Sequence, residues 1–219
     1  MSNKLGVIFY HKNILNIYKK IWIDKCVKSI LNQSYKDFKI YEINYGDADY
    51  SVFSELGTNK KEHIFYKRNH INYIESMNFI ITEAFNDGCD FVFNTNLDDY
   101  YTTDRLEKQL IHLLNGYDIV SSNFCQIKEI DGVDKIITHM NIDSKTNIKE
   151  NLNKGINVIA NPCFAMSKNF WKNNEYDTRT SPREDVIMWK NNINKGFKFK
   201  IEDKELLYYR IHNNQVSKI

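Results

Sequence analysis

The sequence predicts an α/β protein with a mainly parallel central sheet flanked by helices, and three observations carry that expectation. Short apolar runs alternate with segments of helical period as far as residue 125. The runs end in polar tips, Tyr10-His11, Asn44-Tyr45 and Asn96-Leu97-Asp98-Asp99. No internal repeat, low-complexity segment or Pro/Gly/Ser linker interrupts the 219 residues, so one domain over 1–219 is expected.

Each element follows from its pattern. Residues 5–10 read as a buried strand, and 17–31 as an amphipathic helix with Ile17, Ile21, Ile23, Val27, Ile30 and Leu31 on one side. A strand over 38–43 meets a turn at 44–47, and 63–66 is a short strand. Ile74, Met77, Ile80, Ile81 and Ala84 mark a helix over 73–85, which Gly88 stops. Residues 91–93 form a strand entering the acidic loop. Asp104 is placed to cap a helix over 105–114, and 119–124 is the next strand. Beyond 125 the reading is a strand over 133–140, a helix over 148–154 and a strand over 158–166. A helix over 185–193 and strands over 197–201 and 206–212 complete it. Alternation of this kind implies parallel strands joined by helical crossovers. Ligands of such sheets gather beyond the carboxyl ends of the strands, so the three polar tips are expected on one rim.

Composition narrows the function. Hydrophobic residues make up 42% and charged residues 26%, and the formal net charge is +2. Scattered lysines without a basic stripe argue against a nucleic-acid partner. No run of apolar residues is long enough for a membrane span or a signal peptide, so a cytoplasmic protein is expected. Cys26, Cys89, Cys125 and Cys163 are far apart, with no Cys-x-x-Cys pair, and read as buried reduced thiols.

Three clusters can carry chemistry. Asp98 and Asp99 are adjacent carboxylates at a strand end, where they repel unless a cation or a ligand donor stands between them. Mg²⁺ or Mn²⁺ commonly uses one or two carboxylates together with substrate phosphates. In isolation such a pair is usually a solvated turn capping the next helix. Glu184-Asp185 opens a helix, where carboxylates also sit for dipole reasons alone. The third cluster is Tyr208-Tyr209-Arg210-Ile211-His212-Asn213-Asn214-Gln215-Val216-Ser217, whose histidine offers a metal ligand and whose amides offer phosphate donors.

Taken together, the clusters resemble family 2 glycosyltransferases. The segment Ser29-Ile30-Leu31-Asn32-Gln33-Ser34-Tyr35-Lys36-Asp37-Phe38-Lys39-Ile40 is similar to that family's first helix and second strand. Asp98-Asp99 with Arg105-Leu106-Glu107-Lys108-Gln109 resembles its metal motif and following helix. Glu184-Asp185 with Met188-Trp189, and Tyr209-Arg210-Ile211-His212 with Gln215 and Ser217, resemble its later motifs. The resemblance implies the GT-A (Rossmann-like) fold, with 1–125 as the nucleotide-sugar and metal half and 126–219 as the acceptor and catalytic-base half. It implies an inverting, metal-dependent hexosyltransferase that takes a nucleotide-sugar, a UDP-sugar foremost, to a glycan or other hydroxyl acceptor. Asp98 would hold Mn²⁺ or Mg²⁺, with His212 and Asp99 as further metal candidates. Asp185 would be the general base with Glu184 beside it. Tyr10, His11, Asn44, Tyr45, Asn78, Asn96 and Asp98 form the donor-binding set, and Trp189 the wall behind the base helix.

The chain departs from the family at the nucleotide end. The first strand usually ends Pro-Thr-Tyr-Asn and here ends Tyr10-His11-Lys12-Asn13; the second usually enters Asp-Asp-Gly-Ser and here enters Asn44-Tyr45-Gly46-Asp47. Asn96 also stands where an aspartate is usual. An amide still accepts a hydrogen bond but without charge assistance, and Tyr45 offers a stacking face instead. Two readings follow: a donor bound differently, or a catalytically degenerate nucleotide- or sugar-binding protein. Retention of Asp98, Asp99 and Asp185 favours activity. A sugar nucleotidyltransferase would need a glycine-rich loop after the first strand, and residues 10–13 contain no glycine.

Overall fold

The computed structural model describes residues 3–55, 62–143, 145–172 and 174–213. Asn214, Gln215, Val216 and Ser217 of the closing motif lie outside the described residues. The chain opens with strand β1 (Leu5–His11), a short helix α1 (Ile14–Ile17) and helix α2 (Lys20–Leu31). Strand β2 (Phe38–Asn44), helix α3 (Val52–Glu55), strand β3 (His63–Lys67), helix α4 (Tyr73–Asn86) and strand β4 (Phe91–Asn94) follow. Next come β5 (Tyr100–Tyr101), α5 (Arg105–Leu114), β6 (Ile119–Ile130), β7 (Val133–Met140) and α6 (Ile148–Asn153). The chain then runs through β8 (Ala165–Ser167), α7 (Lys168–Trp171), α8 (Glu184–Asn194) and β9 (Phe199–Arg210).

The strands form one sheet in the order β3-β2-β1-β4-β8-β6-β9-β5, and β7 pairs with β6 off that path. β1 is parallel to both neighbours, with Val7 opposite Ile40 on one side and Phe93 on the other. The expected parallel sheet thus holds from β3 to β4. Beyond it the sheet is mixed, because β8 runs antiparallel to both β4 and β6. Alternation along β1 sends Val7 and Phe9 to one face, against Ile23, Val27 and Ile30 of α2 and Leu106 and Leu110 of α5. Ile8 points to the other face, against Met77, Ile80 and Ala84 of α4. This is the three-layer arrangement expected when helical crossovers cover both faces. Gly6 permits the close approach of α4, since a Cβ there would stand 3.3 Å from Ala84 Cβ and 3.1 Å from Tyr41 Cε2.

Helix ends follow local chemistry. Asn72 and Glu75 form a reciprocal capping box at the start of α4, and Gly88 follows its end at φ 90°. Four details differ from the sequence reading. The helix expected from residue 17 begins at Lys20, because Tyr18 is extended and separates α1 from α2. Asp104 stands at the N-cap of α5 but caps no backbone amide; its carboxylate accepts from Thr102 Oγ1 and Lys204 Nζ. The strand expected over 158–166 is a 3₁₀ turn at Asn161–Cys163, built on Pro162, followed by the short β8. The two strands expected over 197–201 and 206–212 are the single strand β9. Its polar middle is absorbed as a bulge, with Ser122 opposite Glu202 and Asn123 opposite Glu205. All four cysteines are buried and free. Among the described residues, no helix is long and apolar enough to cross a membrane.

Beneath the rim of β1 and β2 lies a buried charge network. Glu42 accepts from His11 Nε2 and His63 Nε2, each at 2.8 Å, from Ser51 Oγ at 2.7 Å and from the Val52 amide at 2.7 Å. Burial alone would raise its carboxyl, yet the hydrogen bonds from His11, His63 and Ser51 prevail and bring it from its ordinary 4.5 down to about 2. A depressed folded-state value means stability that is fully present above about pH 4.5 and lost as pH falls toward about 2. Glu42→Gln is therefore expected to lower stability by up to about 3 kcal/mol at neutral pH. Denaturant titrations at several pH values should show that gap closing across this window, and a pH-independent gap would contradict the assignment.

Candidate active site

The carboxyl ends of β1, β2 and β4 open into a cavity of about 520 Å³. Its wall includes Tyr10, His11, Lys12, Tyr18, Tyr45, Asn96, Asp98, Pro162, Glu184, Asp185 and Tyr209. The first strand's tip, the turn after β2, the acidic loop and the start of α8 thus meet around one space, as the switch-point argument requires. Volumes of this size suit a small-molecule ligand.

The turn after β2 is built by Asn44. Its side chain donates to the carbonyls of Ala48 and Tyr50 and accepts from the Gly46 amide at 2.9 Å. Asn44 is consequently buried in the turn, and the structure does not bring it to the cavity wall. Tyr45, whose amide donates to the His11 carbonyl, turns its ring into the cavity, where burial pushes its phenol up to about 12. Gly46 packs against the β1–α1 loop so closely that a Cβ would stand 2.9 Å from the Asn13 amide nitrogen. Asn78 is likewise occupied elsewhere, accepting from the Tyr176 amide and donating to its carbonyl. Tyr10 donates to Asn96 Oδ1 at 3.1 Å, linking the tip of β1 to the acidic loop. His11 reaches the cavity with its Nε2 committed to Glu42, and its Nδ1 has no hydrogen-bond partner among the described residues.

The two aspartates of the acidic loop have different surroundings. Asp98 lies in the cavity wall, with Oδ2 3.0 Å from His212 Nε2. Tyr18 and Trp22 pack on the His212 ring, with centroids 5.3 and 5.1 Å away, and orient it. Asp99 is fully buried behind the loop, where Oδ1 accepts from the Arg210 amide at 2.8 Å and Oδ2 has no partner among the described residues. Burial, reinforced by neighbouring Asp98, holds the Asp99 carboxyl well above its usual range. The structure places Asp98 in the cavity lining with His212 against it, while neither His212 nor Asp99 belongs to the lining itself. The Asp98 and His212 atoms fit a divalent ion, because neighbouring ligands of an octahedral ion at about 2.1 Å are about 3.0 Å apart.

Across the cavity, α8 presents Glu184 and Asp185 in its first turn. Asp185 accepts from Asn157 Nδ2 at 3.0 Å and from the Val186 amide at 2.6 Å. Burial raises its carboxyl, and those two hydrogen bonds temper the rise. Glu184 is buried, its Oε2 has no partner among the described residues, and burial raises its carboxyl too. Trp189, fully buried among Phe164, Phe170, Tyr176 and Phe199, anchors the helix that carries both.

Two positioning residues escaped the sequence reading, and a third, Arg210, was named there only as part of the closing motif. Arg210 is fully buried; its Nε donates to the Asp98 carbonyl at 2.9 Å and its guanidinium pairs with Asp134. Its signal was its place two residues before His212. Asn157 and Tyr18 gave no signal, being a lone amide in a loop and a lone aromatic between two helices.

Comparison with known proteins agrees with this fold. The S. aureus TarS 1–349 structure superposes with a TM-score of 0.69 at 15% identity, covering 94% of this chain and 60% of that one. The same fragment in complex with UDP-GlcNAc gives 0.69 at 14% identity, over 99% of this chain and 62% of that one. The fragment in complex with UDP gives 0.65 at 14% identity, over 95% and 60%. The chain therefore spans about three-fifths of the TarS fragments it matches. No curated protein matches it. The fold shared with TarS is the GT-A arrangement of a sheet flanked by helices. The family described as "Glycosyl transferase family 2" matches over residues 16–173, well over half of the sequence, and the chain belongs to that family of glycosyltransferases.

Proposed function

We propose that the chain transfers a hexose-type sugar from a nucleoside-diphosphate sugar, with UDP as the nucleotide, to an acceptor hydroxyl on a glycan or similar molecule, with inversion. The observation that supports this reading is the shared cavity, lined by Asp98, which His212 contacts, and by Asp185. The UDP-GlcNAc and UDP complexes of the TarS fragment support the donor class. Tyr45 offers an aromatic face for the base, taking over where the usual aspartate is Asn44 and is committed to the turn.

Asp98 and His212 would hold Mn²⁺ or Mg²⁺, and the mixed oxygen and nitrogen set leans to Mn²⁺. Bound there, the ion would neutralise the donor diphosphate and stabilise the departing nucleotide. The protein's own contribution is positional and electrostatic. Arg210 fixes the backbone of the acidic loop, Tyr18 and Trp22 orient His212, and the cavity walls hold the donor for attack from the α8 side. Asp185 accepts the proton of the acceptor hydroxyl as its oxygen attacks the anomeric carbon. Asn157 and the Val186 amide aim that carboxylate and keep it ionised. Glu184, its neighbour in the first turn of α8, keeps an oxygen with no partner among the described residues.

Thermal-shift titration with UDP-, GDP- and dTDP-sugars, with and without Mn²⁺, tests the reading as a whole. Stabilisation by a UDP-sugar that requires metal is the expected result; no shift with any donor would overturn it. Asp98→Ala is expected to abolish the metal-dependent shift. Asp185→Asn should keep that shift while turnover falls by about 10²- to 10⁴-fold; unchanged turnover would remove Asp185 from the base role. Because the base works only when ionised, kcat/KM should fall as pH drops through the raised Asp185 value, placing the acid limb above an ordinary aspartate's 3.8. Asn157→Ala deletes a hydrogen bond that lowers that value, so it should move the acid limb to higher pH.

A further inference from the structure

A second cluster of ionisable side chains lies where β6, β7 and β9 run side by side. Cys125 on β6 stands directly opposite His139 on β7. Glu205 on β9 is opposite Asn123, two residues from Cys125 and so on the same face of the sheet. The bulge in β9 is what brings it there, since the register slips between Glu202 and Glu205. Cys125 Sγ donates to Glu205 Oε2 at 2.9 Å, and His139 Nδ1 lies 2.8 Å from Oε1 and 3.5 Å from Sγ. None of the three lines the donor cavity.

We propose that Cys125, His139 and Glu205 form a zinc site separate from the donor cavity, with a fourth coordination position open to water. The three ligand atoms lie within 4.8 Å of one another. In a tetrahedral site with Zn–S of about 2.3 Å and Zn–N of about 2.0–2.1 Å, sulfur and nitrogen are about 3.5–3.6 Å apart. Cys125 Sγ and His139 Nδ1 already stand at 3.5 Å. The Glu205 oxygens are closer than a bound ion allows and must retreat by about 0.6 Å to reach a Zn–O distance of about 2.0–2.2 Å. The Glu205 side chain, 26% exposed, has room for that. On binding, the Cys125 thiol releases its proton to solvent, and His139 coordinates through Nδ1 with its proton on Nε2. Thiolate and carboxylate then balance the ion's two positive charges. His139, 56% exposed, gives the ion its path in from water. A thiolate and an imidazole select Zn²⁺ over Mg²⁺ or Mn²⁺, so this site and the Asp98–His212 pair call for different metals.

Cobalt titration of the metal-stripped full chain, without nucleotide, is the test. One equivalent of Co²⁺ should produce a thiolate-to-cobalt charge-transfer band that Cys125→Ser abolishes and Asp98→Ala retains. In chelator competition, His139→Ala and Glu205→Gln, at a surface and a half-buried position, should each weaken Zn²⁺ by at least about tenfold. No band in the wild type, a band that survives Cys125→Ser or disappears in Asp98→Ala, or unchanged zinc affinity in both other variants, would overturn the proposal.

Discussion

Adjacent carboxylates at the end of an apolar strand need positive charge and hydrogen bonds close by, and Arg210 supplies both. Its amide holds Asp99, its Nε holds the Asp98 carbonyl, and its remaining guanidinium nitrogens are held by Asp134. The side chain is fully buried and stacks over Trp22 at 4.7 Å. A buried guanidinium is tolerable only when its donors are satisfied, so the acidic loop, the start of β7 and α2 are all bound to its position. The orientation of His212, two residues further along, follows from the same anchor.

The cavity is the meeting point of two halves built differently. From β3 to β4 the sheet is parallel, and its strand tips carry Tyr10, Tyr45 and Asn96. From β8 onward it is mixed, and its contributions include Asp185 at a helix start and Tyr209 on a strand, with His212 just beyond that strand against Asp98. Pro162 and the 3₁₀ turn before β8 close the floor between them, with Tyr101 donating to the Pro162 carbonyl.

Much of this was legible in the sequence. Periodicity identified α4, α5, β1 and β2 because both their faces and their ends carry local signals, such as Gly88 after α4. The polar tips marked the rim for the same reason. What periodicity could not separate was a strand from a short apolar turn, so Asn161–Cys163 read as strand. Nor could it show that the run Glu202-Asp203-Lys204-Glu205 is a bulge within β9 rather than a gap between strands. At the site, residue type led to Asp98, Glu184 and Asp185, which line one cavity, and to His212, which contacts Asp98. It led equally to Asn44, Asn78 and Asp99, whose side chains are engaged in holding the backbone. A polar residue at a strand tip looks the same in sequence whether it faces a ligand or secures its own turn.

The position of β9 has a consequence for synthesis. It lies inside the sheet, between β6 and β5, yet it follows β1 to β8 in the chain and leaves the ribosome after them. The half from β1 to β4, with its helices, can pack as it emerges. The acidic loop, made early, has no Arg210 to hold it until some 110 further residues have been translated, as the Arg210–Asp98 and Arg210–Asp99 contacts span |i−j| of 112 and 111. Throughout that interval a nascent chain can hold the parallel half of the sheet without the contacts that fix the acidic loop, so the order of translation sets the order in which the cavity walls are completed.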